Sequence, residues 1–341
     1  MALERARLDR WANNTVAKST YVTWVTFEAM KFLYHAVVRI RSAGMKKTAA
    51  QESTYALGHS EQELDRLSRQ AELFEPFTRQ LLQQAGITRG MRVLDVGCGS
   101  GDVALLTSEL VGPSGTVVGA DKAMSAVQRA SERARARQIG NVQFFEGDPT
   151  EMQFDRPFDA VIGRLVLMYY PDPVDAIRKL AGHVRDGGLI VFQEVDLSNS
   201  RSLPPTPTFQ RHVGWIKQTL IATGARTQLG LELYTAFVDA GMPGPSMRMD
   251  ALIGGGLDCP TFELVAEVTR SLLPAMEKLK IATAREVGIS DLAERIRDEV
   301  VRARGIVLSP GLVGAWSHRS RVDVRHTPGT TRIARFPDRR A

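Results

Sequence analysis

The chain has 341 residues, of which 43% are hydrophobic and 24% charged, and its formal net charge is +6. These fractions are those of an ordinary globular protein and exclude disordered, collagen-like and low-complexity classes. Its two cysteines, Cys98 and Cys259, support neither a disulfide framework nor a four-cysteine zinc site. We therefore expect a cytoplasmic protein in a reducing compartment.

The positive charge is confined to the two ends of the chain. Residues 1–50 carry a balance of +6 and residues 318–341 a balance of +5, whereas residues 51–317 carry −5. The arginines of the last segment lack the interleaved aromatic residues and the binding fold that a nucleic-acid partner would require. We expect no nucleic-acid partner and predict that residues 318–341 form a basic disordered tail.

Residues 1–51 are predicted to be an N-terminal extension. Its most apolar stretch, residues 21–40, is interrupted by charged side chains, so we expect no integral membrane span. The spacing of those charges predicts an amphipathic helix, which either packs against a domain or lies on a membrane surface. A third interpretation is that Met45 is the true start of the protein.

From residue 91 onward, short apolar runs alternate with segments of helical spacing. The predicted strands cover 91–96, 116–120, 142–145, 158–163 and 189–194, and the predicted helices cover 103–111, 123–137 and 173–184. This alternation predicts an α/β fold with a parallel sheet and helices on both of its faces. In such sheets ligands bind beyond the carboxyl ends of the strands.

The first predicted strand ends in the glycine-rich turn LDVGCGSG at residues 94–101. Gly97, Gly99 and Gly101 allow the backbone to turn sharply and leave room for a ligand. A dinucleotide fingerprint would need a small residue where Asp102 stands, which disfavours a nicotinamide-dependent oxidoreductase. A carboxylate at that position suits a ligand that carries positive charge.

Three carboxylates, those of Asp95, Asp121 and Asp148, stand at or near the ends of three successive predicted strands. Asp121 is placed to accept both ribose hydroxyls of a nucleoside, and Asp148 to accept an adenine amino group. Any one of them alone is more often a helix cap or a loop residue. All three together predict a nucleoside-binding edge.

These segments resemble the class I S-adenosylmethionine-dependent methyltransferases. The matching runs are LDVGCGSG at 94–101, VGAD at 118–121, EGD at 146–148 and FDAVIGRLVL at 158–167. The resemblance implies S-adenosylmethionine as the cofactor and places Arg164 and Leu165 near its methionine portion. The cofactor-binding residues that we predict are Asp95, Gly97, Gly99, Gly101, Asp121, Lys122, Asp148, Arg164 and Leu165.

The resemblance extends over residues 52–317, with a cofactor-binding core at 90–195. It implies a Rossmann-like fold with a mostly parallel seven-stranded sheet, closed by an antiparallel pair near 246–253 and 312–316. Helical inserts at about 200–240 and 257–305 are expected to form a lid. A helix that follows the segment 55–60 is expected to cover the cofactor.

Methyl transfer depends mainly on orientation, so the reaction constrains the catalytic residue only weakly. The motifs of nucleobase amine and cysteine-dependent base methyltransferases are missing from the sequence, which leaves an oxygen, nitrogen or carbon atom of a small-molecule acceptor. His212, Glu194 and His59 are the candidate bases, and the dispersed histidines predict no metal site. A cofactor-binding module without catalysis is the main alternative, and a homodimer is left open.

Overall fold

The computed structural model describes residues 61–320, and side chains from Gln70 onward. The predicted N-terminal extension, the alternative start at Met45, His59 and the tail beyond residue 320 therefore lie outside the described residues.

The described chain folds into helices and strands that alternate only in part. The helices are α1 (Glu61–Ala85), α2 (Asp102–Val111), α3 (Met124–Ala136), α4 (Pro173–Ala181), α5 (Pro207–Ala222), α6 (Leu229–Asp239), α7 (Thr261–Lys278), α8 (Ala284–Val287) and α9 (Leu292–Arg302). The strands are β1 (Arg92–Val96), β2 (Thr116–Asp121), β3 (Val142–Glu146), β4 (Phe158–Arg164), β5 (Val184–Asp196), β6 (Arg201–Leu203), β7 (Ser246–Asp250), β8 (Ile253–Gly254), β9 (Ile306–Leu308) and β10 (Gly311–His318).

Seven strands form the main sheet in the order β3-β2-β1-β4-β5-β10-β7. Strands β1 to β5 pair in parallel, whereas β10 runs antiparallel between β5 and β7. The predicted α/β class and the closing antiparallel pair are confirmed. Strand order reverses between β1 and β4, which opens a crevice at their carboxyl ends.

The predicted strands of the core agree with the observed ones to within one residue, apart from β5, which starts five residues earlier and ends two residues later than predicted. Strand β5 begins at Val184, before the turn at Gly187. Its pairing with β4 shifts register between Phe158 and Ala160, which accommodates that turn within the strand. At the other end, β10 runs to His318, and the N–H of Arg319 donates to the Gly188 carbonyl. The ordered sheet therefore extends slightly past the predicted boundary at residue 317.

The predicted helical inserts are present as α5 to α9. Between them the short strands β6, β9 and β8 form a second, antiparallel sheet. The sequence did not predict this sheet, because strands of two or three residues are too short to establish an alternating pattern. Helices α5 and α7 pack on each other above the carboxyl edge of the main sheet, and α1 packs against α7.

Candidate active site

A cavity of about 350 Å³ lies at the point where the strand order reverses. Its floor is the turn after β1 together with the ends of β2 and β4, represented by Gly99, Asp121 and Arg164. Helix α1 contributes Phe74, and the inserted helices α5 and α7 contribute an apolar wall. The lid helices and the covering helix that the sequence predicted therefore border the predicted cofactor edge.

The glycine-rich turn has the backbone conformation that its sequence predicts. Gly97 and Gly99 adopt φ values of 64° and 52°, in the left-handed region that residues with a side chain rarely occupy. A Cβ on Gly97 would overlap the side chain of Val166, whereas a Cβ on Gly99 would meet no described atom within 4 Å. Gly97 is thus required for packing, and Gly99 leaves open space above the turn.

Asp121 fastens this turn to the second strand. Its Oδ2 accepts the N–H of Gly99 at 2.9 Å, and its Oδ1 accepts the N–H of Ala123 at 2.9 Å. Each carboxylate oxygen has a second lone pair. Asp121 therefore holds the loop in shape and still has the capacity to accept hydroxyl donors from a ligand.

Asp95 is a buried carboxyl beneath the same turn. Its Oδ2 has no hydrogen-bond partner among the described residues. Burial raises the pKa of Asp95 to about 8, partly opposed by Arg164 and reinforced by the negative charges of Asp121 and Asp102. A buried acidic group with an unsatisfied oxygen fits a cationic ligand above it, because positive charge would favour its ionised form.

Asp102, whose carboxylate was expected to suit a positively charged ligand, lines the cavity but is paired within the protein. Its Oδ1 lies 2.7 Å from Nη2 of Arg133, whose Nη1 also donates to the Ser100 carbonyl at 2.6 Å. Arg133 comes from α3, so the sequence around the glycine turn contains no sign of this pairing. The pair is neutral overall and stabilises the loop rather than adding negative charge.

Asp148 lies in a network on the adenosine side of the predicted site. Its oxygens contact Lys122 Nζ at 2.9 Å and accept the Tyr170 hydroxyl at 2.8 Å and the Thr150 N–H at 2.9 Å. Burial alone would raise the pKa of Asp148, but the bonds from Lys122, Thr150 and Tyr170 outweigh it, so this pKa is lowered. The Lys122 ammonium also lies 5.2 Å from the centre of the Tyr170 ring.

Arg164 enters the cavity from the end of β4. Its Nη1 donates to the Thr78 hydroxyl of α1 at 3.1 Å, and that hydroxyl donates to Oε1 of Gln193 at 2.7 Å. Burial lowers the pKa of Arg164, while the carboxylates of Asp102, Asp95 and Glu75 oppose this. The positive charge of Arg164 lowers the pKa of Asp95 and so opposes the effect of burial.

Leu165 follows Arg164 and lines the cavity in a strained conformation. Its φ is 55°, and its N–H donates to the Gln193 carbonyl at 2.8 Å. Such a conformation persists only where the surroundings impose it.

Glu194 supplies part of that constraint. Its Oε1 accepts the N–H groups of Val166 and Leu167 at 3.0 and 2.8 Å, and its Oε2 has no partner among the described residues. Burial raises the pKa of Glu194 to about 7, opposed by these backbone bonds. Glu194 is not among the side chains that line the cavity, so it positions the loop after β4 rather than facing a ligand.

Replacing Glu194 by Gln should change the pH dependence of stability. The pKa of the folded-state carboxyl is raised from 4.5 to about 7, so the folded protein binds this proton more tightly than the unfolded chain does. The stability that this group contributes is therefore fully present below about pH 4.5 and is lost as the pH rises through about 7. The parent and Glu194→Gln should melt at similar temperatures at pH 5, and the variant should melt higher at pH 8.

Differential scanning fluorimetry from pH 5 to 8 measures this difference. Glu263→Gln, on the exposed face of α7, is the matched control and should follow the parent. A Glu194→Gln variant that is destabilised equally at every pH would contradict the expectation.

His212 was predicted as a candidate base, and the structure places it away from the cavity lining. Its Nδ1 lies 2.7 Å from the Thr208 carbonyl oxygen and its Nε2 lies 3.3 Å from that of Val287. Burial lowers the pKa of His212, and its ring packs edge-on against Trp215 at 4.9 Å. Its neighbours Val213 and Ile216 line the cavity instead.

Some residues of the site were not singled out in the sequence. Thr78 lies within a helix whose pattern predicted only an apolar face, and Tyr170 gave no sign of its bond to Asp148. The sequence signal for Tyr170 was its position shortly after β4, three residues beyond the FDAVIGRLVL segment. Among the described residues, no group of three or more His, Cys, Asp or Glu side chains is arranged to hold a metal ion. Within residues 61–320, no helix is long and apolar enough to cross a membrane.

The fold and the glycine-rich turn resemble those of known proteins. A family model described as a methyltransferase domain matches residues 87–226. Residues 87–226 are therefore similar to a methyltransferase domain, in agreement with the resemblance found in the sequence. The match also disfavours the nicotinamide-dependent alternative.

Two curated relatives share this region. The aklanonic acid methyltransferase DauC of Streptomyces sp. (strain C5) is 34% identical over 140 residues, which cover 41% of this chain and 63% of the relative. The demethylmenaquinone methyltransferase of Geobacillus kaustophilus (strain HTA426) is 30% identical over 115 residues, covering 33% of this chain and 49% of the relative. The matched region thus spans about half to two thirds of the length of these relatives.

A solved structure agrees with the fold. A suspected methyltransferase from Bacillus halodurans C-125 superposes with a TM-score of 0.50 at 16% identity, covering 72% of this chain and 99% of that one. At this identity the likeness concerns the architecture alone.

Proposed function

We propose that this protein transfers the methyl group of S-adenosylmethionine to an oxygen, nitrogen or carbon atom of a small-molecule acceptor. The observation that carries this proposal is the glycine turn fastened to Asp121 at the reversal of strand order. The acceptors named for the two relatives, aklanonic acid and demethylmenaquinone, are small molecules, which supports the acceptor class. We also propose a cytoplasmic location, since Cys98 and Cys259 are both free thiols.

The charges of the site match this cofactor. S-adenosylmethionine carries a sulfonium, an ammonium and a carboxylate, and therefore a net charge of about +1 at neutral pH. The pairs Asp102–Arg133 and Asp148–Lys122 are neutral, which leaves Asp121 and Arg164 in the cavity lining and Asp95 buried behind the glycine turn. With Asp95 ionised their sum is negative, which complements the cofactor.

Each of these groups has a distinct task. Asp121 would accept the ribose hydroxyls, and Arg164 would hold the methionine carboxylate by charge-assisted hydrogen bonds. Asp148 and Lys122 would border the adenine, with Tyr170 fixing the Asp148 carboxylate. Leu165, in the loop after β4 that Gln193 and Glu194 hold in place, would line the cavity next to the reacting methyl group.

S-adenosylmethionine would supply an electrophilic methyl group, which passes in line from its sulfonium to the acceptor atom with S-adenosylhomocysteine as the leaving group. The protein contributes orientation, which is worth several kcal/mol in such reactions. Glu194 accepts a hydrogen bond from the backbone of the loop after β4. Both ring nitrogens of His212 face carbonyl groups. Neither is therefore assigned as a base, and His59 stays a prediction.

Two measurements test the proposal. Calorimetry on the full chain should detect S-adenosylmethionine binding in the low micromolar range and none for a nicotinamide dinucleotide. A screen of metabolite pools with radiolabelled cofactor should then detect methyl transfer. Cofactor binding without turnover on any acceptor would favour a non-catalytic binding module, and tight dinucleotide binding alone would overturn the proposal.

Binding of S-adenosylmethionine should release a proton from Asp95. The pKa of this carboxyl is about 8 in the ligand-free chain, so the group is mostly protonated at pH 7. A cationic ligand lowers that pKa, so protons leave on binding and the affinity rises between pH 6 and 8. Calorimetric enthalpies at pH 7 should therefore differ between phosphate and Tris buffers, in proportion to their ionisation enthalpies.

Asp95→Asn should abolish this buffer dependence, and Asp186→Asn, at the amino end of β5, should leave it unchanged. An equal buffer dependence in the parent and in Asp95→Asn would assign the proton to another group.

A further inference from the structure

The cavity has two compartments of different chemistry. The compartment over the glycine turn is bordered by charged side chains, including Asp121 and Lys122. The other, which we call the acceptor chamber, lies between the inserted helices. Its walls are Val213, Ile216 and Leu220 of α5 and Val265, Val268 and Leu272 of α7.

The two walls are single apolar stripes. On each helix the three residues follow a spacing of three and then four positions, so they share one face. Charged residues occupy the opposite faces, for example Arg211 on α5 and Arg270 on α7, both exposed. Since α5 and α7 pack on each other, their apolar stripes converge on the same space.

The remainder of the chamber adds hydroxyl groups but no counter-charge. Tyr169, Ser200, Leu197 and Leu312 also line the cavity, and its charged lining residues among the described ones are Asp102, Asp121, Lys122 and Arg164, at the glycine turn and the ends of β2 and β4. A charged group placed in such surroundings would lose its hydration without gaining a partner.

Arg164, at the border of the two compartments, is not available as that partner. Its Nη1 donates to the Thr78 hydroxyl, and the proposed function assigns its guanidinium to the methionine carboxylate of the cofactor.

We propose that the acceptor presents an uncharged apolar ring system or hydrocarbon body, which inserts between α5 and α7 beside the cofactor. Amino acids, phosphorylated amines and nucleotides are excluded from the chamber by their charge. This inference rests on the proposed function in one respect, namely that the bound molecule is the methyl acceptor. The apolar site itself is formed by the inserted helices. The two can therefore be tested separately.

The probe is N-phenyl-1-naphthylamine, an uncharged dye whose fluorescence rises in apolar sites. It is titrated into the full chain with and without saturating S-adenosylhomocysteine, and then displaced by two matched competitors. 2-Naphthol is uncharged, whereas 6-hydroxynaphthalene-2-sulfonate adds one ionised group to the same ring. We expect 2-naphthol to displace the dye at least about 100-fold more effectively than the sulfonate, because the chamber offers that charge no partner.

Two variants locate the dye. Val268→Trp adds bulk at a half-buried wall position and should weaken dye binding at least about 10-fold. Val301→Trp, on the exposed face of α9, is the matched control and should bind the dye normally. Thermal unfolding and S-adenosylhomocysteine affinity are measured on both. If Val268→Trp proves unfolded, Val265→Ser replaces it and should weaken dye binding through lost apolar contact.

The outcomes separate the two proposals. Normal S-adenosylhomocysteine binding with no dye binding, or with equal displacement by the two naphthols, overturns the apolar acceptor and leaves the proposed function standing. Dye binding that Val268→Trp blocks, in a chain that binds neither S-adenosylmethionine nor S-adenosylhomocysteine, supports the apolar site and overturns the proposed function. Dye binding that is equal in Val268→Trp, Val301→Trp and the parent places the dye elsewhere and overturns the inference.

Discussion

Asp121→Ala is expected to reduce the affinity for S-adenosylmethionine at least about 100-fold. Hydrogen bonds to a charged acceptor contribute about 1.5–3 kcal/mol each, and Asp121 is placed to accept two from a ribose. The substitution also removes the acceptor of the Gly99 and Ala123 N–H groups, so the glycine turn loses its attachment to β2. The dissociation constant is measured by calorimetry on the full chain.

Two further variants separate ligand contact from loop support. Asp121→Asn keeps one acceptor oxygen and should fall between the parent and Asp121→Ala. Asp186→Ala removes an exposed aspartate at the amino end of β5, opposite to the proposed site, and should bind the cofactor as the parent does. If Asp121→Ala binds S-adenosylmethionine as tightly as Asp186→Ala does, the assignment of this edge to the cofactor is wrong.

The part of the site that the sequence predicted is the part specified locally. The turn at Gly97 and Gly99 and the carboxylate of Asp121 follow strands whose apolar runs are unmistakable, and in a parallel sheet those ends must meet at one edge. The full strand order was not needed to predict this edge. The ends of β1 and β2 lie side by side because the two strands pair in parallel.

What the sequence did not predict depends on contacts between distant segments. Arg133 neutralises Asp102 from another helix, and Glu194 bonds to the backbone of the loop after the neighbouring strand. The left-handed conformation of Leu165 is likewise imposed by its surroundings, since leucine does not favour it. The residue type alone made Glu194 and His212 look like candidate bases, whereas burial and bonding partners assign them positioning and packing roles.

Gly97→Ala is expected to have the largest effect on the fold of the site. The residue sits at φ 64°, where a side chain costs about 1–2 kcal/mol, and the new methyl group would overlap Val166. Overpacking of this kind costs about 1–3 kcal/mol more, because Val166 is held in place by the Glu194 carboxylate. We expect a loss of about 2–5 kcal/mol in the free energy of unfolding, measured by urea denaturation.

Gly99→Ala is the matched variant that separates packing from ligand space. Its φ of 52° carries the same backbone penalty of about 1–2 kcal/mol, but its methyl group would meet no described atom within 4 Å. It should therefore destabilise the fold less than Gly97→Ala and still weaken S-adenosylmethionine binding at least about 10-fold, because the methyl group stands above the turn where the ligand would lie. Gly140→Ala, on an exposed loop with open space around it, should change neither quantity. Equal loss of stability in the Gly97 and Gly99 variants would mean that Val166 yields to the added methyl group, and undiminished binding by Gly99→Ala would move the cofactor away from this turn.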